Sequence, residues 1–215
     1  MHAGGRNLPR RMLCAISTAA CSSTGGLARA AAMIALSSLC LASSAQLRAD
    51  DRALLFDSAG YRIDAFRAPV PAKVQGAKTL DTEGLRRLLT ARPDATVLID
   101  VLPAPPRPPR LANGTLWLPT PHQSLPAANW LPNVGYGRLS DALEHYFRSN
   151  LERLTDADKH RAVVIFCQAD CWMSWNAARR AAAYGYSSVY WYPDGTTGWV
   201  GAGYPLEPNQ PVAMD

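Results

Sequence analysis

Acidic residues are missing from the first 45 positions, which carry Arg6, Arg10, Arg11 and Arg29 among many alanines and serines. Setting these four arginines aside reduces 22 basic residues to 18 against 17 acidic ones, so the remaining chain has a net charge of only +1. A near-neutral domain has no sequence-wide electrostatic attraction to nucleic acid or anionic lipid. Long hydrophobic runs are lacking too. The apolar stretch Ala30 to Ala42 is too short to span a bilayer comfortably. Arginines, a short apolar run and the small residues Ser43-Ser44-Ala45 have the layout of a secretory signal. Residues 1–45 are therefore expected to be a signal peptide and the mature chain to be periplasmic, without a stable membrane span. An uncleaved anchor is the alternative. Lipoprotein processing at Cys40 is disfavoured by the bulky Leu39, and the twin-arginine route by the distance of Arg10 and Arg11 from the apolar run.

Cysteine is scarce. Cys14, Cys21 and Cys40 fall within the expected signal, which leaves Cys167 and Cys171. Two thiolates need further ligands to hold zinc, and His122, His145 and His160 show no ligand spacing relative to them. Trp172 stands where a haem-attachment motif would carry histidine, and the spacing is one residue too long. No metal site and no bound cofactor are expected. In an oxidising compartment a nearby pair tends to be oxidised, so its resting state is the first functional question.

The chain has no internal repeat. Asp81 or Thr82 can cap a helix over Glu83 to Ala91, with Leu85, Leu88 and Leu89 at helical spacing. Ala95 to Val101 and Ala162 to Phe166 are continuous apolar runs, as in strands buried on both faces of a parallel sheet. Leu139 to Leu154 repeats apolar residues at helical spacing, with Ser140 to cap it. An alanine-rich helix is predicted over Trp175 to Tyr184, stopped by Gly185, and a strand over Ser188 to Tyr192. Between them, the prolines from Pro103 to Pro121 predict an extended surface loop. This order gives an α/β domain with a central, mainly parallel sheet flanked by helices.

Ligands of such sheets gather at the carboxyl ends of the strands, where Cys167 lies. A helix beginning just after it would favour a thiolate, making Cys167 the nucleophile, while Asp170 would oppose that charge. Cys171 can reach Cys167 if Gln168-Ala169-Asp170 folds back, so a reversible disulfide and a bridge that only fixes the loop are both open. Trp172, Met173 and Trp175 surround the pair in sequence, and Trp191 and Trp199 can approach it from the last strand and loop. They form either core or a hydrophobic dock for a partner protein or planar cofactor.

Val163-Val164-Ile165-Phe166-Cys167, the alanine-rich helix, Ser188-Val189-Tyr190 and Asp194-Gly195-Thr196-Thr197-Gly198-Trp199 together resemble the active-site half of rhodanese-like domains. Leu98-Ile99-Asp100-Val101 is similar to the rhodanese strand that ends in aspartate, and residues 124–132 to the segment that follows it. Cys167-Gln168-Ala169-Asp170-Cys171-Trp172 resembles the motif of an exported subfamily, C-x-x-x-C-W, associated with pyrroloquinoline quinone (PQQ)-dependent alcohol catabolism. The segments Gly60-Tyr61-Arg62 and Arg67-Ala68-Pro69-Val70-Pro71 are similar to that subfamily as well.

The resemblance implies an N-terminal extension over residues 46–78, a rhodanese-like domain over 79–207 and a tail over 208–215. It further implies a persulfide-bearing position at Cys167, and a quinoprotein dehydrogenase system or redox partner linked by pathway only. Asp170, the second cysteine and Trp172 replace the small and cationic loop residues of sulfurtransferases, which favours thiol–disulfide chemistry or binding over thiosulfate turnover. In the expected mechanism Cys167 attacks and Cys171 resolves, with Gln168, Asp170, Trp172, Trp175 and Asp100 lining the substrate or partner site.

Overall fold

Two apolar runs build the centre of the molecule. In the computed structural model, which describes residues 54–106, 108–110, 112 and 121–214, they form the strands Thr96–Asp100 (β2) and Ala162–Phe166 (β5). The expected signal and much of the proline-rich loop lie outside the described residues. The other strands are Lys78–Thr79 (β1), His122–Ser124 (β3), Asn129–Trp130 (β4), Val189–Tyr192 (β6) and Glu207–Asn209 (β7). The helices are Thr82–Ala91 (α1), Asp141–Leu154 (α2), Trp172–Ala183 (α3) and Gly195–Gly201 (α4). Five strands lie in the order β1-β6-β5-β2-β4 with every pair parallel, and β3 and β7 form a separate antiparallel pair.

Side chains alternate across a strand, so odd and even positions serve different cores. Val97, Ile99, Val163, Ile165, Val189 and Trp191 pack with Phe147 and Leu151 of α2 and Ala177, Ala178 and Ala181 of α3. Leu98, Val164, Phe166 and Tyr192 pack on the opposite face with Leu85 of α1 and Trp199 of α4. Covering both faces is what makes continuous apolar runs, and not alternating ones, the right sequence for β2 and β5.

Asp81 caps α1 by accepting from the Gly84 amide at 2.7 Å, and Ser140 caps α2 by accepting from the Leu143 amide at 3.3 Å. Helix α3 starts at Trp172, earlier than the expected Trp175, because Cys171 already serves as its N-cap residue. It ends as expected before Gly185, which adopts φ 91°.

The segment from Leu54 to Ala77 is stitched to α3. Asn176 holds it from the interior: its side-chain carbonyl accepts from the Arg62 amide at 2.9 Å, and its Nδ2 donates to the carbonyls of Arg62 and Gly135. Arg62 stacks over the rings of Phe56 and Trp172, at 5.3 and 4.7 Å from their centres. These stacked contacts are individually worth about 0.5–2 kcal/mol.

Candidate functional site

Cys167 directly follows β5. Its odd position continues the face of Val163 and Ile165, which turns its side chain toward the core shared with α3. The next three residues must reverse the chain, and Asp170 does so with φ 53°, a left-handed conformation that aspartate tolerates better than most residues. On the other side of the loop, Gly195 pairs with Gln168, and the Thr196 amide donates to the Cys167 carbonyl at 2.9 Å. Gly195 has φ 52°, and a Cβ there would collide with the Cys167 backbone.

This frame brings the two sulfurs face to face. Cys167 Sγ and Cys171 Sγ lie 2.6 Å apart, inside ordinary sulfur contact distance, and the residues are 1% and 2% exposed. Thiols so placed can close to a disulfide with little backbone movement.

The surroundings of the two sulfurs differ. Burial, above all, pushes the Cys167 thiol well above the ordinary value. Its bond to Cys171, the Cys171 charge and Asp100 push the same way, against the Gln168 amide. Cys171 is lowered to about 7, first by the thiol of Cys167 and then by the Met173 amide and the Arg67 guanidinium, which outweigh its burial. The thiolate-favouring end of α3 therefore serves Cys171, its N-cap residue, and the carboxylate that opposes Cys167 is Asp100, not the expected Asp170.

A strap crosses the cysteine loop. Arg67 bridges to Cys171 in antiparallel fashion, the Ala68 amide donates to the Asp170 carbonyl at 3.1 Å, and the Trp172 amide donates to the Phe66 carbonyl at 2.9 Å. Arg67 Nη1 donates to the Ala169 carbonyl at 2.7 Å. The indoles of Trp172 and Trp175 donate to the carbonyls of Pro69 and Lys73, at 3.2 and 3.0 Å.

The remaining expected site residues separate. Gln168 is half-buried and Asp170 exposed on the loop beside the pair. Trp172 is 8% exposed and edge-on to both Phe56 and Trp175, so it is core under the strap and not an open dock. Trp175 keeps partial exposure. Trp191 lies on the cysteine side of the sheet and donates to Ser174 Oγ at 3.0 Å, whereas Trp199 packs on the other face.

Asp100, expected to meet substrate or partner, is fully buried. One carboxylate oxygen accepts from Ser124 Oγ at 2.6 Å and lies 2.7 Å from His122 Nε2, while the other accepts from the Leu102 amide at 2.8 Å. It ties the end of β2 to β3. Sequence reasoning missed the roles of Arg67, His122 and Ser124. Arg67 stands in an extended proline-flanked segment whose partner is set only by the tertiary fold, and the pairing of His122 with Asp100 joins residues 22 positions apart that no motif links. Among the described residues no group of three or more His, Cys, Asp or Glu side chains converges on a metal position, and no helix is long and apolar enough to cross a membrane.

Residues 127–202, which include β5, the cysteine loop, α3 and α4, match the family model described as rhodanese-like domain. No curated protein matches the chain. Among solved structures, the polysulfide-sulfur transferase homodimer of Wolinella succinogenes is 20% identical, with 63% of this chain and 81% of that one covered and a TM-score of 0.39. A rhodanese-like domain from Anabaena is 16% identical over 64% of this chain and 86% of its own, with a TM-score of 0.39. The thiosulfate sulfurtransferase of Pseudomonas aeruginosa is 19% identical over 65% of this chain and 22% of its own, with a TM-score of 0.41. With a parallel sheet covered on both faces and the cysteine loop at its carboxyl edge, the chain has an α/β fold whose residues 127–202 are similar to rhodanese-like domains.

Proposed function

We infer that the Cys167–Cys171 pair cycles between dithiol and disulfide, making this a rhodanese-fold thiol–disulfide protein. The reading extends to an exported accessory role in PQQ-dependent alcohol catabolism. One observation carries the chemistry: two cysteine sulfurs facing each other at 2.6 Å at the carboxyl end of a parallel strand. The exported and pathway parts rest on the N-terminal composition and on the resemblance of Cys167 to Trp172 to the C-x-x-x-C-W motif. Sulfane-sulfur handling on the same thiols is the related chemistry, and the buried, strapped pair with no cationic residue in its own loop disfavours thiosulfate turnover.

The test is the reduction potential of the purified pair, together with cyanide-dependent thiocyanate formation from thiosulfate. A working pair equilibrates with glutathione, above about −300 mV, and forms little or no thiocyanate. A potential far below that value supports a second reading, favoured by the burial of both sulfurs. In it the bridge only fixes the loop of a partner- or cofactor-binding module, and Cys167→Ser costs stability more than activity.

A further inference from the structure

Within that reading, the geometry distinguishes the two sulfurs. We propose that Cys171 is the attacking sulfur, that Arg67 positions its thiolate, and that Cys167 is the resolving thiol. Three observations carry this. Cys171 is the N-cap residue of α3, so its sulfur stands at the helix end where amides are unpaired and a negative charge is stabilised. Arg67 crosses directly beside it in the strap and is fixed there by its bond to the Ala169 carbonyl. Cys167, by contrast, is held through its carbonyl by Thr196, beneath Gly195, and carries Asp100 on its side of the pair.

The cover is asymmetric as well. The Phe66–Ala68 strap runs alongside the backbone of Cys171, held to the residues on either side of it by two backbone hydrogen bonds. Such a short contact opens locally more readily than the end of the central sheet strand from which Cys167 emerges. Opening it uncovers Cys171 first. The depressed thiol of Cys171 agrees with this order.

In the step that follows, the Cys171 thiolate attacks one sulfur of a substrate disulfide R–S–S–R′. A Cys171–S–S–R bond forms, and R′S⁻ leaves. The Cys167 thiol then attacks Cys171 Sγ and its proton passes to the departing RS⁻, giving RSH and the Cys167–Cys171 disulfide. The substrate disulfide is reduced by two electrons and the protein dithiol is oxidised by two.

Reduced wild-type protein, treated with less than one equivalent of iodoacetamide near neutral pH and mapped by peptide mass, is expected to carry the label on Cys171 at least about tenfold over Cys167. With 5,5′-dithiobis(2-nitrobenzoate), Cys167→Ser should retain a mixed disulfide on Cys171, and Cys171→Ser should react at least about tenfold more slowly than Cys167→Ser. Arg67→Gln should slow labelling of Cys171, and Arg67→Lys should restore most of it, which a purely structural arginine with its own fork geometry would not show. Preferential labelling of Cys167 in the wild type overturns the assignment without requiring any variant to fold. If the oxidised pair fails to exchange with glutathione while Cys171 still labels first, the redox function falls and the ranking of the two sulfurs stands.

Discussion

Gly195 is where a single side chain has most leverage on the site. Its φ of 52° lies in the left-handed region, and the space a Cβ needs is taken by the Cys167 backbone, which cannot swing aside as a flexible side chain could. Gly195→Ala should therefore cost about 2–4 kcal/mol in urea unfolding and loosen the loop that sets the two sulfurs together. A loss below about 0.5 kcal/mol would show that the loop does not depend on this contact.

The thiols themselves make a second residue-scale prediction. Cys171 is lowered to about 7, so its ionisation stabilises the folded reduced protein; that contribution is present above the ordinary thiol value and lost as pH falls through about 7. Cys167 is raised, so its contribution is present below the ordinary thiol value and lost at higher pH. Stability of the reduced protein should thus rise from pH 7 toward the ordinary thiol value and gain nothing beyond it. The oxidised protein, with no thiol to titrate, should lack this rise. Parallel pH–stability curves for the two forms would contradict the assignment.

At the scale of elements, the strap is the piece with the clearest consequence. Ala68→Pro removes the amide that donates to the Asp170 carbonyl, and the preceding Arg67 is already paired in extended form, which a following proline permits. Global stability should fall by only about 1 kcal/mol, the net worth of one such bond, while thiol labelling accelerates because the cover opens more often. Unchanged labelling with the same loss of stability would mean that the strap does not govern access.

Legibility in the sequence divides along the same lines. The apolar runs of β2 and β5 and the spaced leucines of α1 were readable because burial of a whole element leaves a periodic or continuous pattern. The two- and three-residue strands β1, β3, β4 and β7 leave no such pattern, since pairing with a distant partner, not composition, makes them strands. Spacing left open whether Cys167 and Cys171 meet, since that depends on the intervening loop folding back, and their surroundings depend on Arg67 and Asp100, which arrive from distant elements.

For the whole molecule, the state of the pair couples to folding. A bridge between Cys167 and Cys171 closes only a five-residue ring, for which the chain-entropy relation gives about 2 kcal/mol of stabilisation. In a domain of this size that corresponds to a melting temperature about 4–8 °C higher for the oxidised form. Thermodynamic linkage requires the same free energy to reappear as redox poise: the pair should be about 40 mV harder to reduce in the folded protein than in the unfolded chain. Melting the oxidised and fully reduced proteins side by side measures the first quantity, and a glutathione titration with and without urea measures the second. Cys167→Ser, unable to close the ring, should melt at one temperature regardless of reductant. A gap of about 2 kcal/mol keeps the pair within reach of a thiol partner, whereas a much larger gap would make reduction equivalent to unfolding the loop and would leave the bridge with a purely structural role.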